Sequence, residues 1–140
     1  MKSFYTLFLF LLFVATSFTS KAQENKQQKN EKEVSIEKVK VYYFHNERRC
    51  ATCNAVEEVT KTALNEYYPE QVKAGIVTFQ SLNIEDGENE SIVKELHISG
   101  QTLLIIADGK KKDLTNDAFM YARSNPDKLK EKIHKAIGTI

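Results

Sequence analysis

Apolar residues recur with two different periods from residue 38 to the C-terminus, and these periods predict alternating strands and helices. Residues 38–44 are mostly β-branched or aromatic, as is typical of a β-strand. In residues 51–67 the apolar side chains instead recur every three or four positions, which is typical of an α-helix that packs on one side. The predicted elements are, in order, strand 38–44, helix 51–67, strand 76–84, helix 89–97, strand 102–107, strand 111–114 and helix 126–137.

Turn residues help to predict how these elements assemble. Asp108-Gly109 is a favoured two-residue hairpin turn between the last two strands, and Pro126 suits the first turn of the last helix. A further short helix is expected over residues 117–122. The order of elements predicts an α/β fold, with a mixed sheet of about four strands and helices on both faces. We expect the first crossovers to be right-handed and parallel.

The first 22 residues predict export from the cytoplasm. Lys2 is followed by an apolar run over residues 4–14 and by Ser20-Lys21-Ala22, which together have the form of a secretory signal. The run is shorter than the ~20 apolar residues that span a membrane, so we expect cleavage after Ala22 and not retention as an anchor. The mature chain is then expected to be periplasmic or secreted.

Composition divides the remaining residues into a linker and one domain. Residues 23–33 contain no large apolar side chain and predict a disordered linker, while residues 34–140 have the length of one small domain. The whole chain has 20 basic and 19 acidic residues, and loss of Lys2 and Lys21 with the signal leaves 18 basic residues and a net charge of −1. Such a balance does not attract nucleic acid. We expect a monomer with no nucleic-acid partner.

Both cysteines lie in Cys50-Ala51-Thr52-Cys53, at the junction of the first strand and the first helix. At this spacing in a first helical turn, two Cα atoms are roughly 5 to 6 Å apart, which a disulfide tolerates. The motif also lies at the carboxyl end of the first strand, where open α/β sheets concentrate functional residues. The spacing therefore predicts two thiols that form a reversible intrachain disulfide.

With these cysteines, the chain resembles the thioredoxin-like superfamily. The segments that carry the resemblance are the strand-Cys-x-x-Cys-helix unit, residues 79–86 and residues 100–104. More narrowly, residues 42–45 and 49–54 are similar to the small exported proteins labelled the nitrophenyl compound nitroreductase subunit ArsF family. The resemblance implies a thioredoxin-like three-layer α/β/α fold and an exported thiol-disulfide oxidoreductase, with Cys50 and Cys53 as catalytic residues.

That family label does not extend to nitroreductase chemistry. A flavin or nicotinamide cofactor needs a glycine-rich phosphate turn. The five glycines, at positions 75, 87, 100, 109 and 138, are scattered along the chain. We therefore expect no cofactor.

Three departures from the thioredoxin pattern change what the resemblance implies. Gln101 precedes the strand that faces the cysteines. Thioredoxins have a cis-proline at this position, so for this chain we expect a trans peptide and a reshaped substrate groove. Ala51-Thr52 replaces the Gly-Pro dipeptide between the thiols, which leaves the reduction potential open. The buried carboxylate that assists proton transfer in thioredoxins has no acidic counterpart in residues 41–44, so its role is either lost or reassigned.

The two thiols are expected to differ in role. Cys50 at the helix start faces unpaired backbone N–H groups and the positive end of the helix dipole, which lower the pKa of its thiol and make it the nucleophile. Cys53, one turn further along, is expected to be more buried and to act as the resolving thiol. Arg48 and Arg49 would lower the pKa of Cys50 further if they turned inward, but two solvated loop residues are the favoured interpretation.

His45 ends the first strand and is a candidate proton shuttle in place of the missing carboxylate. A polar residue at a strand terminus is the favoured interpretation, because a lone histidine carries a weak signal without geometry. His45, Arg49 and Gln101 are thus the candidate auxiliary residues.

Two other functions are compatible with the motif. The cysteine motif also resembles heavy-metal-associated domains, in which Cys50 and Cys53 would hold copper or zinc, and a four-ligand zinc site would also need two of the three histidines. Those domains place two strands between their helices, whereas one convincing strand lies between residues 67 and 88. The other alternative is a non-catalytic thioredoxin-like binding module with a structural disulfide, although a disulfide that closes so short a loop stabilises little.

The expected partner of the thiol pair is a protein or a small molecule that carries a disulfide or a dithiol. The sequence does not encode the direction of exchange. Thiols outside the cytoplasm tend to be oxidised, so a reducing role requires a membrane or soluble electron donor.

Overall fold

The computed structural model describes residues 38–140. The predicted signal at residues 1–22 and the predicted linker at residues 23–33 lie outside the described residues, as do residues 34–37 of the predicted domain. None of the helices in residues 38–140 combines the length and the apolar character that a membrane span requires.

The secondary structure follows the predicted order, with boundaries displaced by at most two residues. The strands are β1 (Val39–His45), β2 (Val77–Asn83), β3 (Thr102–Ala107) and β4 (Lys110–Asp113), and the helices are α1 (Ala51–Tyr67), α2 (Pro69–Lys73), α3 (Glu90–Leu96), α4 (Thr115–Tyr121) and α5 (Pro126–Gly138). Helix α2 was not predicted. Its Pro69 is a helix-start signal, but its five residues bury no side chain and carry no apolar period.

The four strands form one mixed sheet in the order β2-β1-β3-β4. Strand β1 pairs parallel to β2 and antiparallel to β3, and β3 pairs antiparallel to β4. Tyr43 in β1 therefore lies between Ser81 in β2 and Leu103 in β3. This topology confirms the predicted fold class, a thioredoxin-like α/β fold with a four-stranded mixed sheet.

The connection from β2 through α3 leads into β3, a strand that runs antiparallel to β1. This corrects the prediction that the first crossovers would be parallel. Strand β3 begins at Thr102, which pairs with Phe44 near the end of β1, so the chain starts β3 from the edge at which β1 and β2 finish. Helix α3 has seven residues and is about 10 Å long, whereas a seven-residue strand spans about 23 Å. Since α3 is too short to return the chain to the opposite edge, β3 runs back antiparallel.

The predicted hairpin turn is present between β3 and β4. Asp108 has a φ of 49° and Gly109 a φ of 69°. Two successive residues with positive φ are what a two-residue hairpin turn of this type requires, and Asp-Gly adopts it readily. The turn sets the register of β4, a strand whose residues are all exposed.

Helices cover both faces of the sheet. On one face, Tyr43 and Ile105 of the sheet join the buried residues of α1 and α5 in a single hydrophobic core. The buried core side chains that α1 and α5 contribute are Cys53, Val56, Ala63, Leu64, Leu129, Ile133 and Ala136. On the other face, Tyr42 and Ile106 line a groove of about 510 Å³ beside α3. Because Cys53 belongs to the core, the thiol motif is anchored to the main packing face.

Candidate thiol site

Cys50 is the N-cap residue of α1 and places its sulfur at the start of the helix. Its backbone is extended, with φ −86° and ψ 168°, and its Sγ accepts a hydrogen bond from the backbone N–H of Cys53 at 3.3 Å. An N-cap side chain normally uses an oxygen to satisfy one of the free N–H groups of the first turn. Here the sulfur occupies that acceptor position, so local helix geometry fixes where the thiol points.

The two sulfurs face each other, but their exposure differs. Cys50 Sγ and Cys53 Sγ are 2.7 Å apart, and both cysteines are free in this structure. Cys50 is exposed, whereas Cys53 has 1% of its surface accessible. A disulfide bond is about 2.05 Å long, so the two sulfurs are close enough to bond once an oxidant takes two electrons and the two thiol protons are lost.

The pKa of the Cys50 thiol lies below its ordinary value, in the predicted direction. The largest cause is the hydrogen bond with the Cys53 side chain, followed by the bond from the Cys53 backbone N–H. Sequence reasoning named the backbone N–H groups and the helix dipole as the causes. The Cys53 thiol therefore lowers the pKa of Cys50 in addition to the helix end. Its effect depends on the short distance between the two sulfurs.

Gln101 lies at the thiol pair. Its side-chain oxygen Oε1 accepts a hydrogen bond from Cys53 Sγ at 3.3 Å. Peptide bonds are trans throughout residues 38–140, including those of Gln101, as expected for this residue. Where the resemblance implies a proline, this chain therefore presents an acceptor to the buried thiol, while any role of Gln101 in catalysis stays a prediction.

Arg49 turns inward, which corrects the favoured interpretation that it is a solvated loop residue. One guanidinium nitrogen, Nη2, donates to the carbonyl oxygen of Cys53 at 3.4 Å and lies 2.5 Å from Glu57 Oε2. The guanidinium carbon is 5.6 Å from the centroid of the Tyr43 ring. Arg48 is exposed, as expected. Arg49 turns inward because Glu57 and the Tyr43 ring offer it an ion pair and an aromatic face together.

Glu57 is a site residue that sequence reasoning missed. Its side chain is 15% exposed and accepts a hydrogen bond from Ser81 Oγ at 2.9 Å, besides its ion pairs with Arg49 and Lys61. Burial opposes its ionisation, but the hydrogen bonds from these three partners outweigh burial and lower the pKa of Glu57 to about 2. The available signal was spacing, since Glu57 follows Cys53 by four residues and such residues share a helix face.

Replacement of this carboxylate should make stability less dependent on pH. Glu57→Gln is expected to lower the free energy of unfolding near neutral pH by about 1 to 3 kcal/mol, because hydrogen bonds to a charge are lost. The pKa of Glu57 is about 2 in the folded chain against 4.5 ordinarily, so its contribution is complete above pH 4.5 and is lost as the pH falls through about 2.

Urea unfolding of both proteins across that pH range measures the difference, which should shrink with acidification. Glu58→Gln, at an exposed position of the same helix, is the matched control and should change stability little. A difference between Glu57→Gln and the parent chain that stays constant from neutral to acidic pH would contradict the ion-pair assignment.

Tyr43 is the second residue that sequence reasoning missed. Its side chain is fully buried in β1, and its hydroxyl has no hydrogen-bond partner in the described part of the chain. Burial raises the pKa of Tyr43, and the nearby Cys53 raises it further, whereas Arg49 acts in the opposite direction. The Tyr43 side chain thus belongs to the same buried core as the resolving thiol, and its ring lies against the inward arginine.

His45 ends β1, as predicted, but it is not hydrogen-bonded to the thiols. Its ring nitrogen Nδ1 is 2.8 Å from the carbonyl oxygen of Asn46. No hydrogen bond found within residues 38–140 joins His45 to Cys50 or Cys53. The proton-shuttle role of His45 stays a prediction.

The described residues contain no group of three or more His, Cys, Asp and Glu side chains that could hold a metal ion. His134 instead contacts Tyr68, whose hydroxyl lies 2.8 Å from its Nδ1. A zinc site built from both cysteines and two histidines would thus need ligands that this structure does not bring together.

No protein-family model matches the chain, and no curated protein matches it either. Among solved structures, thioredoxin O2 from Arabidopsis thaliana in the oxidised state is similar at 22% identity, over 69% of this chain and 73% of that one, with a TM-score of 0.49. Thioredoxin-1, or Deadhead, from Drosophila melanogaster is similar at 15% identity, over 70% and 80% of the two chains, with a TM-score of 0.45. The strand order and the strand pairing of the sheet define the fold class independently of these similarities.

Proposed function

We propose that this chain is an exported thiol-disulfide exchange protein in which Cys50 and Cys53 cycle between dithiol and disulfide. The observation that carries the proposal is the sulfur pair itself, with an exposed thiol at the helix start and a buried thiol 2.7 Å away. The lowered pKa of Cys50 supports its role as nucleophile, because the thiolate is the attacking species. We also propose kinship with the small exported ArsF family proteins that the motif resembles.

The reaction proceeds in two balanced steps when the protein acts as a reductant. The Cys50 thiolate attacks one sulfur of the partner disulfide, forms a mixed disulfide and releases the first partner thiolate, which takes up a proton. Cys53 then loses its proton and attacks Cys50 Sγ, so that the intrachain bond forms and the second partner thiolate leaves. Two electrons pass to the partner, and the reverse sequence oxidises a dithiol.

The partner class follows from the exposure of the two thiols. Only Cys50 is accessible, so the partner disulfide must approach the start of α1. Either a protein or a small molecule can supply that disulfide. In an oxidising compartment, repeated reduction of a partner requires an electron donor in the membrane or in solution. We propose that the chain meets such partners as a monomer in the periplasm or outside the cell.

Titration of the thiols tests the proposal against the alternatives. The purified full chain should present two titratable thiols after reduction and none after mild oxidation by glutathione disulfide, and reduction should restore both. Cys53→Ser is the control and should show one thiol that cannot form the intrachain bond. If the reduced protein retains copper or zinc stoichiometrically against a competing chelator, soft-metal binding replaces exchange as the function. If the oxidised pair resists reduction by glutathione, a structural disulfide in a binding module replaces it.

A further inference from the structure

The proton of the buried Cys53 thiol has two acceptors within reach. Cys53 Sγ lies 2.7 Å from Cys50 Sγ and donates a hydrogen bond to Gln101 Oε1 at 3.3 Å. A thiol carries a single proton, and the side-chain oxygen of an amide only accepts. The Cys53 proton can therefore serve either Gln101 or Cys50, and the state of the thiol pair decides which of them binds it more strongly.

The backbone places Gln101 beside the thiols. Thr102, the next residue, begins β3 opposite Phe44, near the end of β1 from which the chain passes into α1. On the other side of Gln101, the carbonyl oxygen of Gly100 accepts a hydrogen bond from Thr102 Oγ1 at 3.0 Å. The Gln101 side chain is partly buried, and within the described part of the chain only Cys53 is hydrogen-bonded to it. The amide oxygen is thus positioned for this one thiol.

Ionisation of Cys50 changes which acceptor holds the proton. A thiolate accepts a hydrogen bond more strongly than a neutral group does, and the hydrogen bond with the Cys53 side chain is the largest cause of the lowered pKa of Cys50. The Cys53 proton leaves Gln101 to make that bond. Oxidation also removes the bond to Gln101, because a disulfide has no thiol proton to donate. The Gln101 bond therefore belongs to the fully protonated dithiol.

We propose that Gln101 competes with Cys50 for the proton of Cys53 and thereby stabilises the protonated dithiol against both ionisation and oxidation. This inference rests on the proposed function and names a residue that sets its equilibrium. When the pair is oxidised, two electrons pass to the partner disulfide, the two thiol protons go to the two partner thiolates, and the bond between the sulfurs forms. Gln101 acts through Cys53, which makes it a positioning residue.

Gln101→Leu removes the acceptor and keeps a side chain of similar size. The rate at which iodoacetamide alkylates Cys50 in the reduced full chain is measured against pH. The midpoint of this profile should fall by about half a pH unit, which is about a threefold change in ionisation. This is the size expected for one neutral hydrogen bond from a thiol, a weak donor. Loss of polarity alone would raise the midpoint, because apolar surroundings disfavour a thiolate.

The same hydrogen bond should be visible in the thiol-disulfide equilibrium. In glutathione buffers at a pH below the alkylation midpoint, the ratio of oxidised to reduced Gln101→Leu should exceed that of the parent chain about threefold. This is a reduction potential lower by about 15 mV. Above the midpoint the difference should vanish, because the Cys53 proton of the parent chain is then already bound to Cys50. The other titratable or charged side chains around the pair, which no variant changes, are Tyr43, His45, Arg49 and Glu57.

A second variant and a control accompany this substitution. Gln101→Asn keeps an amide but shortens the side chain by one carbon, which withdraws the oxygen from Cys53 Sγ, so it should match Gln101→Leu in both measurements. Gln71→Leu is the matched control, because Gln71 is exposed in α2, beyond the far end of α1. Helix α1 has 17 residues and is about 25 Å long. The control should leave both measurements unchanged.

The outcomes distinguish failure of this inference from failure of the proposed function. An alkylation midpoint that is unchanged or raised in both Gln101 variants overturns the competition for the proton, while exchange itself stands. A redox difference of equal size on both sides of the midpoint overturns it in the same way. A parent chain that glutathione disulfide cannot oxidise overturns exchange, and the inference with it. A lowered midpoint, together with a redox difference confined to the lower pH range, supports both.

Discussion

Cys53→Ser will leave partner molecules covalently attached to Cys50, whereas Cys50→Ser will trap almost none. After the first attack, the mixed disulfide of the Cys53→Ser protein has no thiol nearby that can release it. In Cys50→Ser the remaining thiol is 1% exposed and cannot reach a partner disulfide. Either substitution should reduce turnover more than about a hundredfold, because both thiols are needed for a complete cycle.

Non-reducing electrophoresis and mass spectrometry of each variant, mixed with a peptide disulfide, measure this asymmetry. Alkylation by iodoacetamide supplies an independent reading. The exposed Cys50, with its lowered pKa, should react first and at a lower pH than a free cysteine. Equal trapping by both variants would refute the assignment of nucleophile and resolving thiol. Trapping by neither would favour the soft-metal or structural alternatives.

Ile133→Ala should lower the free energy of unfolding by about 2 to 5 kcal/mol, the range for removal of a buried large aliphatic side chain. Ile133 of α5 is fully buried in the core that also contains Val56 and Cys53 of α1. Its loss leaves a cavity beneath the helix that carries both thiols. The substitution should nevertheless leave the alkylation rate of Cys50 unchanged in the folded protein, because the N-cap geometry of α1 is local.

Ile137→Ala is the matched control, since the same residue type on the same helix is only partly buried there. Its cost should be clearly smaller. Chemical unfolding followed by circular dichroism measures both variants. Equal destabilisation at the two positions would show that α5 does not pack through the face described above.

Local patterns in the sequence predicted most of the secondary structure. The helix predicted over residues 126–137 is confirmed as α5, whose buried residues Leu129, Ile133 and Ala136 recur at helical spacing. The Asp108-Gly109 turn is confirmed by its two positive φ angles. The position of Cys50 at the start of α1 is also local, because its contact with the Cys53 N–H spans three residues. Such features depend on interactions within one or two turns of chain, which a linear pattern records.

The surroundings of the thiols depend on contacts that no local pattern records. Gln101 reaches Cys53 across 48 residues and Ser81 reaches Glu57 across 24. Arg49 turns inward, against expectation, because β1, β2 and α1 together bring Tyr43, Ser81 and Glu57 around it. The resemblance placed Gln101 near the cysteines, but not as an acceptor for the Cys53 thiol.

The sequence by itself determined the order of elements, the spacing of the two thiols and the exposed end of α1 at which Cys50 lies. Only the tertiary structure decided that β3 runs antiparallel to β1 and that Arg49 turns inward onto Glu57 and the Tyr43 ring. The physical reason is that strand register and the rotation of α1 over the sheet fix these contacts. Both follow from packing of the whole core, in which Tyr43, Cys53 and Ile133 are buried together.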